Sequence, residues 1–234
     1  MTSAELLVGA VLPYVALATF AGGVAYRFAS WSKTPQPGKL TLYPTNGWDL
    51  GSAFKEALFF PSLYEGDRFL WLLAWSFHAA LAIALLGHLR VVTGFVDTVF
   101  EALGVTPAGI GNLSEVGGGA AGIILLVAVG ALLLRRLLLA RAREVSSLPD
   151  FVALLLLVAV ILSGDAMRFG NSPIDLAETR TWAVSLLLFA PTPPANPAVL
   201  LHALCAELLL IYLPLSKLMH FGGVFFTMSL VRRS

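Results

Sequence analysis

The sequence predicts an all-α integral membrane protein with five transmembrane helices, its N-terminus outside and its C-terminus cytoplasmic. Of 234 residues, 58% are hydrophobic and only 12% charged, and the mean hydropathy is +0.83. That is too apolar for a water-facing domain of this length. Five apolar runs, about 6–26, 69–89, 116–134, 151–167 and 198–220, are each long enough to cross a bilayer core. All four histidines fall within two of these runs. The chain therefore reads as a single membrane domain over 1–234, in contact with lipid. The net charge of +1 argues against a nucleic-acid partner. Cys205, alone of its kind and set in an apolar run, offers neither a disulfide framework nor a Cys-rich iron–sulfur site, and without CxxCH there is no covalent c-type haem.

The first run follows MTSAE, which holds an acid and no basic residue, and it exceeds twenty residues; it is expected to be a retained span rather than a secretory signal. Arg27, Trp31 and Lys33 close it with interfacial chemistry. A polar stretch punctuated by Pro35, Pro37, Gly38, Pro44 and Gly47 follows, with an amphipathic piece, AFKEALFFPSLY, suited to the headgroup plane. The second and third spans are joined by TPAGIGNLSEVGGG, which reads as a turn-rich connection. Gly117, Gly118, Gly119 and Gly122 thin the start of the third span for close approach of a neighbouring helix or a flat ligand. A basic cluster, Arg135, Arg136, Arg141 and Arg143, separates the third span from the fourth. After the fourth, TWAVSLLLFA is too short to cross and is expected to lie at the interface or pack on the bundle.

Twelve of the fifteen Lys and Arg residues fall on one side of this arrangement, and only Arg90, Arg168 and Arg180 on the other. The positive-inside rule sets the orientation stated above. The second span then carries His78 toward the cytoplasm and His88 toward the outside, whereas the fifth carries His202 outside and His220 inside. Depth pairs His88 with His202 and His78 with His220. Eighteen helical residues are five whole turns, so His202 and His220 are expected on one face roughly 27 Å apart, against roughly 15 Å for the ten residues between His78 and His88. Tilt, inclination of the ligand or a bend at Pro214 has to absorb the difference.

Two facing imidazoles at one depth, without Cys, Asp or Glu beside them in sequence, suit the iron of a low-spin haem b. Zinc asks for four ligands and a di-iron site for Glu-x-x-His patterns. Packing histidines in a non-redox transporter or structural subunit are the competing reading. Having all four on two antiparallel spans favours two stacked haems b, since ionisable groups within spans are expensive. Glu207 lies about 140° round the helix from His202 and reads as a protonated acid bonded to a neighbouring helix, or as part of a proton path. Asp165 and Arg168 are spaced to pair at i, i+3.

The pieces PYVALATFAGGVAYRFASW, FHAALAIALLGHLR, GGGAAGIILLVAVGALLLRRLLLARAR, LSGDAMRFG and PLSKLMHFGGVFF resemble, over essentially the whole chain, the gamma subunit of respiratory nitrate reductases. The resemblance is closer to the membrane cytochrome (DsrM type) of the Dsr sulfite-reduction complex. It implies a quinol/quinone oxidoreductase subunit of the prokaryotic inner membrane, with haem ligands corresponding to His78, His88, His202 and His220. Its substrate would be menaquinone or ubiquinone, and its partner a cytoplasmic iron–sulfur subunit, either DsrK-like (heterodisulfide-reductase-like) or of the nitrate-reductase beta type. Gly87 matches the family and would let a ring or propionate approach the backbone. Arg90 is read as a partner for an outer propionate or a quinone oxygen, or equally as an interfacial anchor. Arg135, Arg136 and Lys217 are candidates for inner propionates, although topology signalling alone accounts for them. The lysine that nitrate reductases carry before the third helix, associated with quinol binding, has no counterpart in VTPAGIGNLSE.

Reporter fusions at Arg141 and Ser234 are expected to report a cytoplasmic location, and fusions at Asn112 and Asp175 an external one. An external reporter at Ser234 would reverse the orientation.

Overall fold

In the computed structural model, residues 2–33, 50–170, 174–220 and 222–223 are described, and among them every regular element is helical. The proline- and glycine-rich loop from Pro35 to Gly47 and the Arg232–Arg233 pair lie outside the described residues. Among the described residues five helices are long and apolar enough to cross a membrane: Ser3–Lys33, Arg68–Val92, Pro107–Leu138, Leu148–Phe169 and Pro197–Leu215. Many of their large side chains are exposed, as lipid-facing surfaces require.

The first span is built from α1 (Ser3–Leu6), a π turn at Leu7–Val11 and α2 (Leu12–Lys33). Thr2 and Glu5 close its N-terminus as a capping box. The amphipathic piece forms α3 (Leu50–Phe59) and α4 (Pro61–Gly66), separated by Phe60 in the left-handed region at φ 50°. Asp67 then caps α5 (Arg68–Val92), the second span, and α6 (Phe95–Ala102) follows after a two-residue break.

The third span departs from expectation. TPAGIGNLSEVGGG is not a turn-rich connection but the first half of α7 (Pro107–Leu138), capped by Thr106 with Pro107 in its first turn. Gly117, Gly118, Gly119 and Gly122 would weaken an isolated helix, yet the last three receive the fourth span. A methyl on Gly122 would run into the Asp165 carboxyl, one on Gly118 would meet the Arg168 guanidinium at 2.9 Å, and one on Gly119 would meet the Phe169 ring at 3.3 Å. Packing of the fourth span against bare backbone thus overrides local propensity. Arg168 also donates to the Glu115 carbonyl, so Asp165 and Arg168 both turn toward α7.

A short α8 (Ala140–Glu144) leads to α9 (Leu148–Phe169), the fourth span. TWAVSLLLFA falls mostly in α10 (Leu176–Leu187), which packs on the bundle: Trp182 donates from Nε1 to the Gly9 carbonyl in the π turn, and the Tyr14 hydroxyl donates to the Leu186 carbonyl. Gly9 has no side chain because the Pro193 ring occupies the space a methyl would need.

The fifth span also departs from expectation. Its helix, α11 (Pro197–Tyr212), ends eight residues before His220 and gives way to 3₁₀ turns at Leu213–Leu215 and Lys217–Met219, with extended backbone at Ser216 between them. His202 and His220 therefore do not share one continuous helix. Pro214 is the cause: it has no N–H to extend the ladder, and its ring is buried against Gly23.

Helix α5 packs on α7, α7 on α9, α9 on α11 and α11 on α2. Ala80, Ala121, Leu125, Val129 and Ile161 form the core of α5, α7 and α9 at mid-depth. Small residues at Ala80 and Ala121 set the close approach of α5 and α7.

Gly122→Val is expected to destabilise the bundle by about 1–3 kcal/mol through overpacking, read as a lower thermal midpoint in detergent. Gly130→Ala, where nothing lies near the added methyl, is expected to leave it unchanged or slightly raised. Equal midpoints for the two variants would contradict the packing described.

Candidate functional site

Helix α5 meets the fifth span and the turns that follow it through imidazoles. The His88 and His202 ring centroids are 5.9 Å apart with planes inclined at 28°. Those of His78 and His220 are 5.8 Å apart with planes at 88°. His78 and His88 sit ten residues apart on α5, a rise of roughly 15 Å. Helix α11 offers the same rise between His202 and Tyr212, and the 3₁₀ turns bring His220 back to the depth of His78.

The hydrogen bonds of the four rings share one pattern. Nδ1 of His78 donates to the Ala74 carbonyl at 2.7 Å and Nδ1 of His88 to the Ala84 carbonyl at 2.7 Å. Each is the ring's own helix, one turn back. His220 Nδ1 lies 3.2 Å from the Lys217 carbonyl. His202 Nδ1 lies 3.0 Å from the Ser163 hydroxyl, whose own proton goes to the Val160 carbonyl at 2.9 Å, so the hydroxyl accepts and the imidazole donates. Every Nδ1 thus carries the proton, and every Nε2 is left with a free lone pair. This is how histidines that bind a metal are held, with the second nitrogen donating to a carbonyl or hydroxyl. Two imidazoles sharing one iron, each nitrogen about 2 Å from it, have ring centres roughly 6 Å apart. Both pairs have that spacing, so each of them could hold the iron of a haem. No three His, Cys, Asp or Glu side chains gather at one point among the described residues; the donor set is two separate pairs.

Neighbouring residues shape both pairs. Gly164 lies against His202, where a methyl would come within 3.2 Å of Cε1. Phe60 and Phe77 set their rings edge-on to His78 at 5.2 and 5.4 Å. Phe60 does so from a left-handed backbone that a bulky residue rarely adopts, a strain the surroundings must offset. Gly87 borders open space beside His88.

The basic candidates find carboxylates within the chain. Arg90 donates from Nε to Asp97 at 2.6 Å, and Arg180 lies 3.5 Å from the other Asp97 oxygen while donating twice to the Arg90 carbonyl. The latter contacts satisfy an orphan carbonyl at the C-terminal end of α5. Arg135 lies 3.6 Å from Asp67; Arg136 donates to the Ser146 hydroxyl, and Lys217 donates to Asp150 at 2.8 Å. Glu207 is buried, at 6% exposure, but the expected bond to a neighbouring helix is not made by its Oε2, which finds no partner among the described residues.

The sequence reading did not single out Ser163, Gly164, Phe60, Asp97 or Asp150. Ser163 and Gly164 lie within LSGDAMRFG, and a Ser-Gly pair in an apolar span was the available signal.

Residues 62–234 match the nitrate reductase gamma subunit family. A protein of Archaeoglobus fulgidus named Hdr-like menaquinol oxidoreductase cytochrome b-like subunit is 31% identical, over 95% of this chain and 78% of its own. One of the same name from Archaeoglobus profundus is 28% identical, over 96% and 78%.

Proposed function

Since the chain belongs to the nitrate reductase gamma subunit family, we propose that it is the membrane cytochrome b subunit of a menaquinol-oxidising complex. It holds one haem b between His88 and His202 and a second between His78 and His220. The observation that carries this reading is the set of four Nδ1 contacts, which leaves the four Nε2 atoms as the available ligands, on rings paired at 5.8 and 5.9 Å. When bound, the haems supply two one-electron carriers in series along the bundle. The chain's own work is to fix their ligands. Helix α5 sets the depth of one imidazole of each pair, and the break after Tyr212 lets the fifth span match it. Ser163 and the carbonyls of Ala74, Ala84 and Lys217 hold each ring in the ligating tautomer.

The names of the Archaeoglobus relatives support menaquinol as substrate and an Hdr-like complex as the setting, and the sequence resemblance suggests a cytoplasmic iron–sulfur protein as the electron partner. The distribution of Lys and Arg supports a cytoplasmic membrane orientation with the His78/His220 pair on the partner's side. Quinol is then oxidised beside the His88/His202 pair, and its protons leave on the outer side.

Pyridine haemochrome assay of the purified chain is expected to give two acid–acetone-extractable haems b per chain, and one in His88→Ala or His220→Ala. A quinol analogue should fail to reduce the haem left in His88→Ala and should reduce the one left in His220→Ala, which then cannot pass electrons to the partner. The reverse pattern would put quinol oxidation at the other end. A wild-type chain without haem would contradict the reading altogether.

A further inference from the structure

Asp150 stands in the first turn of α9 with its side chain only 4% exposed. Its Oδ2 accepts from the Ser147 backbone N–H at 2.9 Å, from the Ser147 hydroxyl at 3.0 Å and from the Lys217 ammonium at 2.8 Å, and the Arg136 guanidinium lies 4.0 Å away. The contacts with Ser147 form the capping box of α9 and would serve any helix start. Those with Lys217 and Arg136 go further. A capping carboxylate with no other task has no reason to be buried, and a buried one needs opposing charge.

Lys217 opens the 3₁₀ turn Lys217–Met219, and its carbonyl faces His220 Nδ1 at 3.2 Å. One residue is thus tied at its ammonium to α9 and at its carbonyl to the imidazole. The ladder of α11 does not extend that far, since the backbone at Ser216 is extended, at φ −108° and ψ 172°. Tethers from elsewhere replace it. Arg27 donates to the Pro214 carbonyl, and the Tyr212 hydroxyl donates to the Pro149 carbonyl, next in sequence to Asp150. His202 is placed by its own helix; His220 is placed from α2 and the start of α9.

We propose that Asp150 is a positioning residue for the His78/His220 pair. By anchoring Lys217 it fixes the turn whose carbonyl sets the tautomer and inclination of His220, at 88° to His78. The proposal rests on the two-haem reading for its spectroscopic consequence and on the chain alone for its structural one. Low-spin iron between perpendicular imidazoles gives a more anisotropic ferric signal than iron between nearly parallel ones, so the two pairs, at 88° and 28°, are distinguishable by electron paramagnetic resonance.

The test uses the full chain as wild type, Asp150→Ala, Lys217→Met, the double variant, and Ser147→Ala as a control that alters the cap and leaves Lys217 alone. Amide hydrogen exchange over residues 217–220 is expected to rise about ten-fold in Asp150→Ala and Lys217→Met, and no further in the double variant. The more anisotropic ferric signal should shift or vanish in the same variants while the other stays, and Ser147→Ala should change neither. If exchange and signal are unmoved in Asp150→Ala, or if Ser147→Ala reproduces the effect, the proposal is overturned. Should Asp150→Ala fail to insert, Lys217→Met, altered at an exposed side chain, decides by the same two readouts. A wild-type chain with no haem signal would sink the two-haem reading alone. Exchange would then decide the anchor by itself, a rise in both single variants supporting it and no rise overturning it.

Discussion

An imidazole inside a bilayer has two nitrogens to satisfy and no water with which to satisfy them. This chain meets the constraint half-way and in the same manner four times. One nitrogen of each ring is bonded within the protein, to Ala74, Ala84, Lys217 or Ser163, and each ring lies 5.8 or 5.9 Å from a second histidine that has done the same. The remaining nitrogen of each ring still needs a partner. In the proposed reading a haem iron would supply it, and the spacing of the rings leaves room for one. Gly164, Phe60 and Phe77 follow as the walls that hold the rings in place.

Equal depth is the second requirement, and α5 acts as its ruler. Ten helical residues separate its two histidines, whereas eighteen separate those of the fifth span, and a straight helix would carry His220 past its partner by about 12 Å. Ending α11 at Tyr212 removes the excess. A broken helix in a membrane exposes backbone groups, and here Arg27 takes up the Pro214 carbonyl while Ser216 caps the following turn. Strain and rescue sit together at the end of the bundle where His220 must meet His78.

Much of this was legible in the residues themselves. The spans declare their length and polarity, and four histidines on two of them can be paired by depth alone. Pro214 was visible as a bend. Its consequence, a helix that stops rather than curves, was not, because it depends on Gly23 receiving the proline ring from another span. The glycines before Ala120 misled for a similar reason. Locally Gly117–Gly119 punctuate a chain; in the fold Gly118 and Gly119 leave room for Arg168 and Phe169, where α9 comes up against α7. Ser163 and Asp150 carry no pattern of their own, and their roles come from residues 39 and 67 positions away. The basic candidates were visible as charges, but which carboxylate each would meet is a matter of tertiary structure.

The central claim is that one ten-residue interval of α5 sets both sites, and the positions of the irons in the purified protein test it most directly. An anomalous difference map at the iron edge should show two peaks per chain, one between His88 and His202 and one between His78 and His220, separated along α5 by roughly 15 Å. A single peak, peaks away from the two pairs, or a separation near the roughly 27 Å of an unbroken fifth helix would contradict it.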